Sequence, residues 1–355
     1  MYGKAFAPEY QGSLGELSVN TSLEEVLEKA LEERRRADAG GGGAASAHAG
    51  LAVAEASRRL GRVEEAEQAW KDSYRAARGA GDQGAMAWAV WSGGTLARQR
   101  GALPLARRRL ALAAELAERG GDVVARGYSL AGLAETGRIQ GDYPAVAALH
   151  EKLLAEARRR GEARHTVWAL EGIAQMHRGT GSFDTALALF EEAAEIAGTA
   201  GDDRGRAWAL RGIADVRSAR GETDSALALL SEAERICREI QLVSALAYNL
   251  KMRGNVLYRA GRYPEAEECY TEALREFREM DEPRGKALSG LGLTKARARQ
   301  GRAAERTAAD LDELEVALVG IGLQHARAMI ERARAELGIA SGGPGTSAAD
   351  TAPVR

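Results

Sequence analysis

The chain has 355 residues, 45% hydrophobic and 28% charged, with 49 Lys and Arg against 51 Asp and Glu. A formal charge of -2 argues against a protein held on nucleic acid by net charge, and two cysteines, Cys237 and Cys269, exclude a disulfide framework or a cysteine-built metal site. No run approaches the roughly twenty apolar residues of a membrane span, and no apolar leader core opens the chain, so no membrane partner and a cytoplasmic location are expected.

Residues 1–21 carry no periodic pattern and are expected to form a disordered arm. Ser22-Leu23-Glu24-Glu25 has the form of a capping box and opens a helix over 22–38. The glycines at 40–43 make 39–43 a linker, either a flexible joint or a tight reversal. Helix 22–38 would then cap the rest of the chain or swing away from it. In the second case another copy of the chain is a candidate partner.

From Ala44 onward the sequence repeats. Gly81-Asp82, Gly121-Asp122, Gly161-Glu162 and Gly201-Asp202 recur every 40 residues, and Gly61, Gly101, Gly141, Gly181, Gly221, Gly261 and Gly301 fall halfway between. Seven units fit this register up to Val319, which is the signature of a stacked array. Each unit reads as two helices. In residues 202–240, Ala207, Leu210, Ile213 and Ala214 share one helical face, and Ala226, Leu229, Leu230, Ala233 and Ile236 share another. Residues 323–337 form one more helix, a terminal cap that closes a solenoid over 44–338. The small polar residues 339–355 are expected to be a disordered tail.

Counting units from 41, 81, 121 and so on, position 26 is small at Ala66, Ala106, Ala186, Ala226 and Ala266, and position 30 is large at Trp70, Leu110, His150, Phe190, Leu230 and Tyr270. In residues 246–280 the set Gly254, Leu257, Gly261, Ala266, Tyr270 and Ala273 resembles the tetratricopeptide repeat, in a long variant of about 40 residues found in bacterial regulators. The resemblance implies an all-α, right-handed α-solenoid that binds a protein or peptide in its concave groove. It implies neither an enzyme nor a cofactor.

The first helix of each unit should line that groove. Position 8 is aromatic in five successive units, at Trp88, Tyr128, Trp168, Trp208 and Tyr248, with Trp91 three residues on. These rings either fold over a glycine four residues later, at Gly132, Gly172 and Gly212, or face a ligand. Position 11 adds Glu171, Arg211 and Lys251. Position 15 adds Glu135, Gln175, Asp215 and Asn255, and position 18 adds Arg98, Arg138, Arg178 and Tyr258. Arginines can grip carboxylates, and flat rings bury area at low entropic cost, so this mixture suits a mixed-charge peptide between units three and six better than nucleic acid. Lys251 and Asn255 match part of a carboxylate clamp found in some tetratricopeptide adaptors, but Leu291 and Lys295 break the match in the next unit.

Catalysis has little to rest on. His165 and His177 point apart on one helix, His150 takes a packing position, and no HExxH, GxSxG or phosphate-binding loop occurs. Beside a scaffold, two other functions fit the sequence. One is a peptide- or ligand-sensing regulator acting through a partner. The other is an accessory or catalytic component of a biosynthetic pathway.

Overall fold

A computed structural model describes residues 22–323 and 325–340. The described residues form sixteen helices. Helix α1 (Leu23–Ala39) precedes seven hairpins: α2–α3 (Ala44–Arg59, Val63–Gly79), α4–α5 (Gln83–Gln99, Leu103–Gly120), α6–α7 (Val123–Gln140, Tyr143–Arg160), α8–α9 (Ala163–Gly179, Phe183–Ala200), α10–α11 (Asp203–Ala219, Thr223–Glu239), α12–α13 (Val243–Arg259, Tyr263–Glu279) and α14–α15 (Pro283–Arg299, Ala304–Gly320). Helix α16 (Ala326–Leu337) comes last. Each helix packs on the next, and each first helix also touches the first helix of the neighbouring unit. The expected arm 1–21 and all but the first two residues of the expected tail lie outside the described residues.

Between α1 and α2 the glycines make a tight reversal, with Gly41, Gly42 and Gly43 all at positive φ. Helix α1 turns back onto the first hairpin. Leu23, Val26, Leu27 and Ala30 bury against Ala52, Val53 and Ala56, while Arg34 pairs with Asp72 at 2.8 Å. The apolar face that an exchange between copies would need is covered within the same chain.

The small-large pattern at positions 26 and 30 has a definite partner. In four of the second helices the large residue lies over the position-12 glycine in the first helix of the next unit, while Leu230 packs against Met252 instead. Leu110 covers Gly132, His150 covers Gly172, Phe190 covers Gly212 and Tyr270 covers Gly292, and a Cβ at any of these glycines would collide with the covering side chain. The glycines are therefore not filled by the position-8 aromatics, as one sequence expectation had it. His150 is buried in this role, and burial pulls its imidazole down to about 4, so it packs as a neutral ring.

Turns between units use a left-handed residue, Gly201 at φ 69° for example. At the same place in the next two units stand Gln241 (φ 50°) and Asp281 (φ 44°). A side chain there crowds its own carbonyl. Gln241→Gly should stabilise the chain by ~1 kcal/mol, read as a higher urea midpoint at unchanged slope.

The array also meets itself. A Cβ placed on Gly61 would touch Met280, and one on Gly101 would press on Ile321 and Pro283. Leu103 and Ile139 share a buried cluster with Leu291, Leu311 and Ile321, and the Tyr143 ring stacks on His325. The edge of units one to three thus contacts the edge of units six and seven and the cap, one superhelical turn later. The inner face therefore lines a groove whose two edges touch at these points.

Candidate functional site

Two of the position-8 aromatics are anchored by an N-cap acid of the next unit. Asp122 and Glu282 cap the N-termini of α6 and α14 by accepting from Ala125 N and Gly285 N. Their second oxygens face back: Trp88 Nε1 donates to Asp122 at 2.9 Å and Tyr248 Oη to Glu282 at 3.2 Å. Asp202 does the same for α10, capping at Gly205 N while accepting from Arg164 at 2.6 and 3.1 Å. At these three turns one acidic residue therefore ends one helix dipole and ties two units together.

In the N-terminal half the rings are packing. Trp88, Trp91, Tyr128, His165 and Trp168 form a continuous edge-to-face chain with centroids 4.7–5.8 Å apart. Trp88, Trp91 and Tyr128 are only 7–8% exposed, while Trp168 is half-buried at the end of the chain. His165 was not expected here; it lies beneath a close approach to Gly127.

Many inner charges are already paired. Arg138 grips Glu135 with two bonds of 2.7 Å, and Arg58 grips Glu55 in the same register of the first unit. Both carboxyls are held at about 2: burial alone would raise them, and the adjacent guanidiniums outweigh it. Arg178 and Arg259 converge on Asp215 at 2.6 and 2.7 Å, so Arg178 is not the unengaged groove cation the sequence suggested. Asn255 accepts from Tyr270 Oη at 2.8 Å. Tyr258 donates to Glu336 of α16 at 2.6 Å, and Lys295 pairs with the same carboxylate at 2.7 Å. The cap thus takes up the C-terminal end of the predicted surface.

The C-terminal half differs. Arg204 and Arg211 flank the Trp208 ring at 5.2 and 5.4 Å, and Arg211 and Arg284 flank the Tyr248 ring at 5.8 and 5.7 Å. Trp208 Nε1 is buried without an acceptor. The cause is local. Where Trp88 and Tyr248 find an N-cap acid 34 residues on, Trp208 meets Leu242, and α12 starts without a side-chain cap. Lys251 stands one turn after Tyr248. Burial and the guanidiniums of Arg284 and Arg211 pull it down to about 8 against the pull of Asp215. Burial and the facing Arg59, Arg164 and Arg58 bring Arg204 to about 9. Glu171 is the one buried carboxyl of the site with an oxygen lacking any partner.

Sequence reading missed Arg164, Arg204 and Arg284, which share position 4, one helical turn before the aromatic column. Their 40-residue register was a usable signal. It also missed Glu55 and Arg58, which continue positions 15 and 18 into the first unit. Among the described residues no group of three His, Cys, Asp or Glu side chains could hold a metal, and no helix is long and apolar enough to cross a membrane. Burial pushes the Cys237 and Cys269 thiols up to about 11, as fits side chains used for packing.

The fold and this wall define an all-α repeat scaffold with a donor-rich interior. Sequence models described as tetratricopeptide repeat match residues 123–199, 165–239 and 247–279, and the chain is a tetratricopeptide-repeat protein. Among solved structures it is similar to a Rap protein complexed with Competence and Sporulation Factor, with 14% identity, a TM-score of 0.60, and coverage of 92% of this chain and 97% of that one. It is also similar to the Rap conjugation gene regulator of plasmid pLS20 in complex with the Phr* peptide, with 13% identity, a TM-score of 0.62, and coverage of 82% and 76%. At these identities the likeness is one of fold. A search of curated protein sequences finds no match.

Proposed function

We propose that the protein is a noncatalytic scaffold that takes a peptide or an extended segment of a partner protein against the inner face of units four to six. The observation that carries this reading is the unmet donor set on α10 and α12. The Trp208 indole N–H, Arg211 and Lys251 lie beside exposed ring area, and none of them has an acceptor within hydrogen-bonding or ion-pairing distance. A buried indole N–H without an acceptor costs free energy, and an incoming chain supplies acceptors at every carbonyl to it and to the two cations beside it. A peptide-sensing regulator acting through a partner is the second reading. It is favoured by the closed seam and by the two fold neighbours solved with a peptide or a factor bound.

A displayed random-peptide library panned on the full chain tests this. Binders should be enriched, and Trp208→Ala should lower their affinity at least tenfold while leaving the helical circular dichroism intact. Enriched binders indifferent to Trp208, or none at all, would remove this surface as the site.

A further inference from the structure

Six side chains around Trp208 and Tyr248 present donors to the interior and almost no acceptors. Arg204, Trp208 and Arg211 come from α10, Lys251 from α12 and Arg284 from α14. Arg98 of α4 faces Arg284 from the other side of the seam. Elsewhere on the same wall every arginine of this kind has its carboxylate: Arg58 has Glu55, Arg138 has Glu135, Arg164 has Asp202, and Arg178 has Asp215. Arg98, Arg204, Arg211 and Lys251 have none within 4.0 Å among the described residues. Arg284 reaches only the Tyr248 hydroxyl at 3.3 Å, and its Nε, like those of Arg98 and Arg204, is buried without an acceptor.

From this we infer that the interior holds an acidic peptide segment whose carboxylates bridge α10, α12 and α14 to α4 across the seam. The inference rests on the scaffold reading above and names its ligand chemistry. Spacing favours separate carboxylates over one compact anion. Arg211 and Lys251 occupy the same register on helices in direct contact, which puts their stems roughly 8–10 Å apart. An extended chain covers that span in about three residues. The rings of Trp208 and Tyr248 lie between the cations and offer area to the residues in between. The proton affinity of Lys251 is lowered first by burial and then by Arg284 and Arg211, which outweigh Asp215.

A segment laid here touches both edges that meet at the seam. It relieves the repulsion between Arg98 and Arg284 and so favours the closed turn. Binding and closure become one equilibrium, in which the ligand prefers the state that brings Arg98 to its partners.

The test uses the full chain and three probes: an end-blocked decapeptide with aspartate at every third position, the same peptide with asparagine, and tripolyphosphate. Titration calorimetry should show the aspartate peptide binding at least tenfold more tightly than the asparagine peptide. Arg211→Gln and Lys251→Gln should each weaken it at least fivefold. Neither variant loses a salt bridge, so the melting temperature of the free protein should hold or rise, which separates lost binding from lost fold. The aspartate peptide should also slow hydrogen exchange at 59–63 and 279–283. Equal binding of the two peptides, no binding of either, or binding of tripolyphosphate alone would overturn the inference. Library binders that need Trp208 but carry no acidic residues would overturn it too, while leaving the scaffold reading in place.

Discussion

Replacing Asp202 by alanine should destabilise the array by about 3–5 kcal/mol, the largest loss expected from a single substitution of a charged residue here. Asp202 is 1% exposed and holds Arg164, itself 5% exposed, with two short bonds. Alanine would take two hydrogen bonds and the facing carboxylate from a buried guanidinium, and it would also remove the acceptor at Gly205 N that starts α10. Arg164→Met in the same chain should restore much of the loss, because the cost lies in keeping a buried charge that has lost this carboxylate rather than in the absent pair. Asp202→Asn should fall between the two, since it keeps a capping oxygen. The pH dependence has a definite sign. Burial alone would raise the Asp202 carboxyl, but Arg164 and the Gly205 N–H hold it below its ordinary value. A carboxyl lowered on folding contributes stability above its unfolded value near 3.8, and that stability is lost as the pH falls through the folded value. The penalty of Asp202→Ala in urea unfolding should therefore be full at neutral pH and shrink in acid. An undiminished penalty at low pH would mean that packing, not charge, is what Asp202 supplies.

How far the site could be read from sequence depends on where each contact has its partner. The aromatic column was legible because Trp88, Tyr128, Trp168, Trp208 and Tyr248 keep one register over five units. Periodicity alone could not tell packing from binding. That distinction is made by residues 34 positions on: Asp122 and Glu282 satisfy Trp88 and Tyr248, and Leu242 leaves Trp208 unmet. All three are plain in the sequence, but their pairing appears only once the stacking of one unit on the next is known. Arg178 looked available because its partner Asp215 belongs to the following unit. The seam was beyond sequence reading for another reason. It depends on the rotation between units, a small angle summed over the array, so contacts such as Gly101 with Ile321 have no local signature. The glycines at position 12 were legible as close approaches, but the side chain approaching them was assigned to the wrong helix. The register of second helix on first helix decides that, and it is set by the turn between units.

Glu171→Gln should raise stability at alkaline pH by about 2–4 kcal/mol and change little near pH 4. Glu171 lies on α8 facing α10, is 9% exposed, and has one oxygen without a partner. Burial raises its carboxyl to about 8; Arg211 pulls the other way, but Asp202 and Glu135 add to the rise. An acid raised on folding keeps its proton in the native state while the unfolded chain releases it near 4.5. Between those two values the native state binds more protons than the unfolded one, so stability falls as the pH rises, and above about 8 the loss is complete. Glutamine mimics the neutral acid at every pH and escapes this loss. The difference between variant and wild type in urea midpoint should therefore open from about pH 5 and level off past pH 8. It should go on opening to higher pH, and end larger, when the aspartate peptide is bound. That peptide engages Arg211 and Arg204, the nearby cations that favour the charged form of Glu171, and its own charge adds to the repulsion, so the proton is held to still higher pH. A difference independent of pH would mean that Glu171 is ionised in the native state throughout. In that case Arg211 already has its counter-charge, and the donor set on α10 is smaller by one.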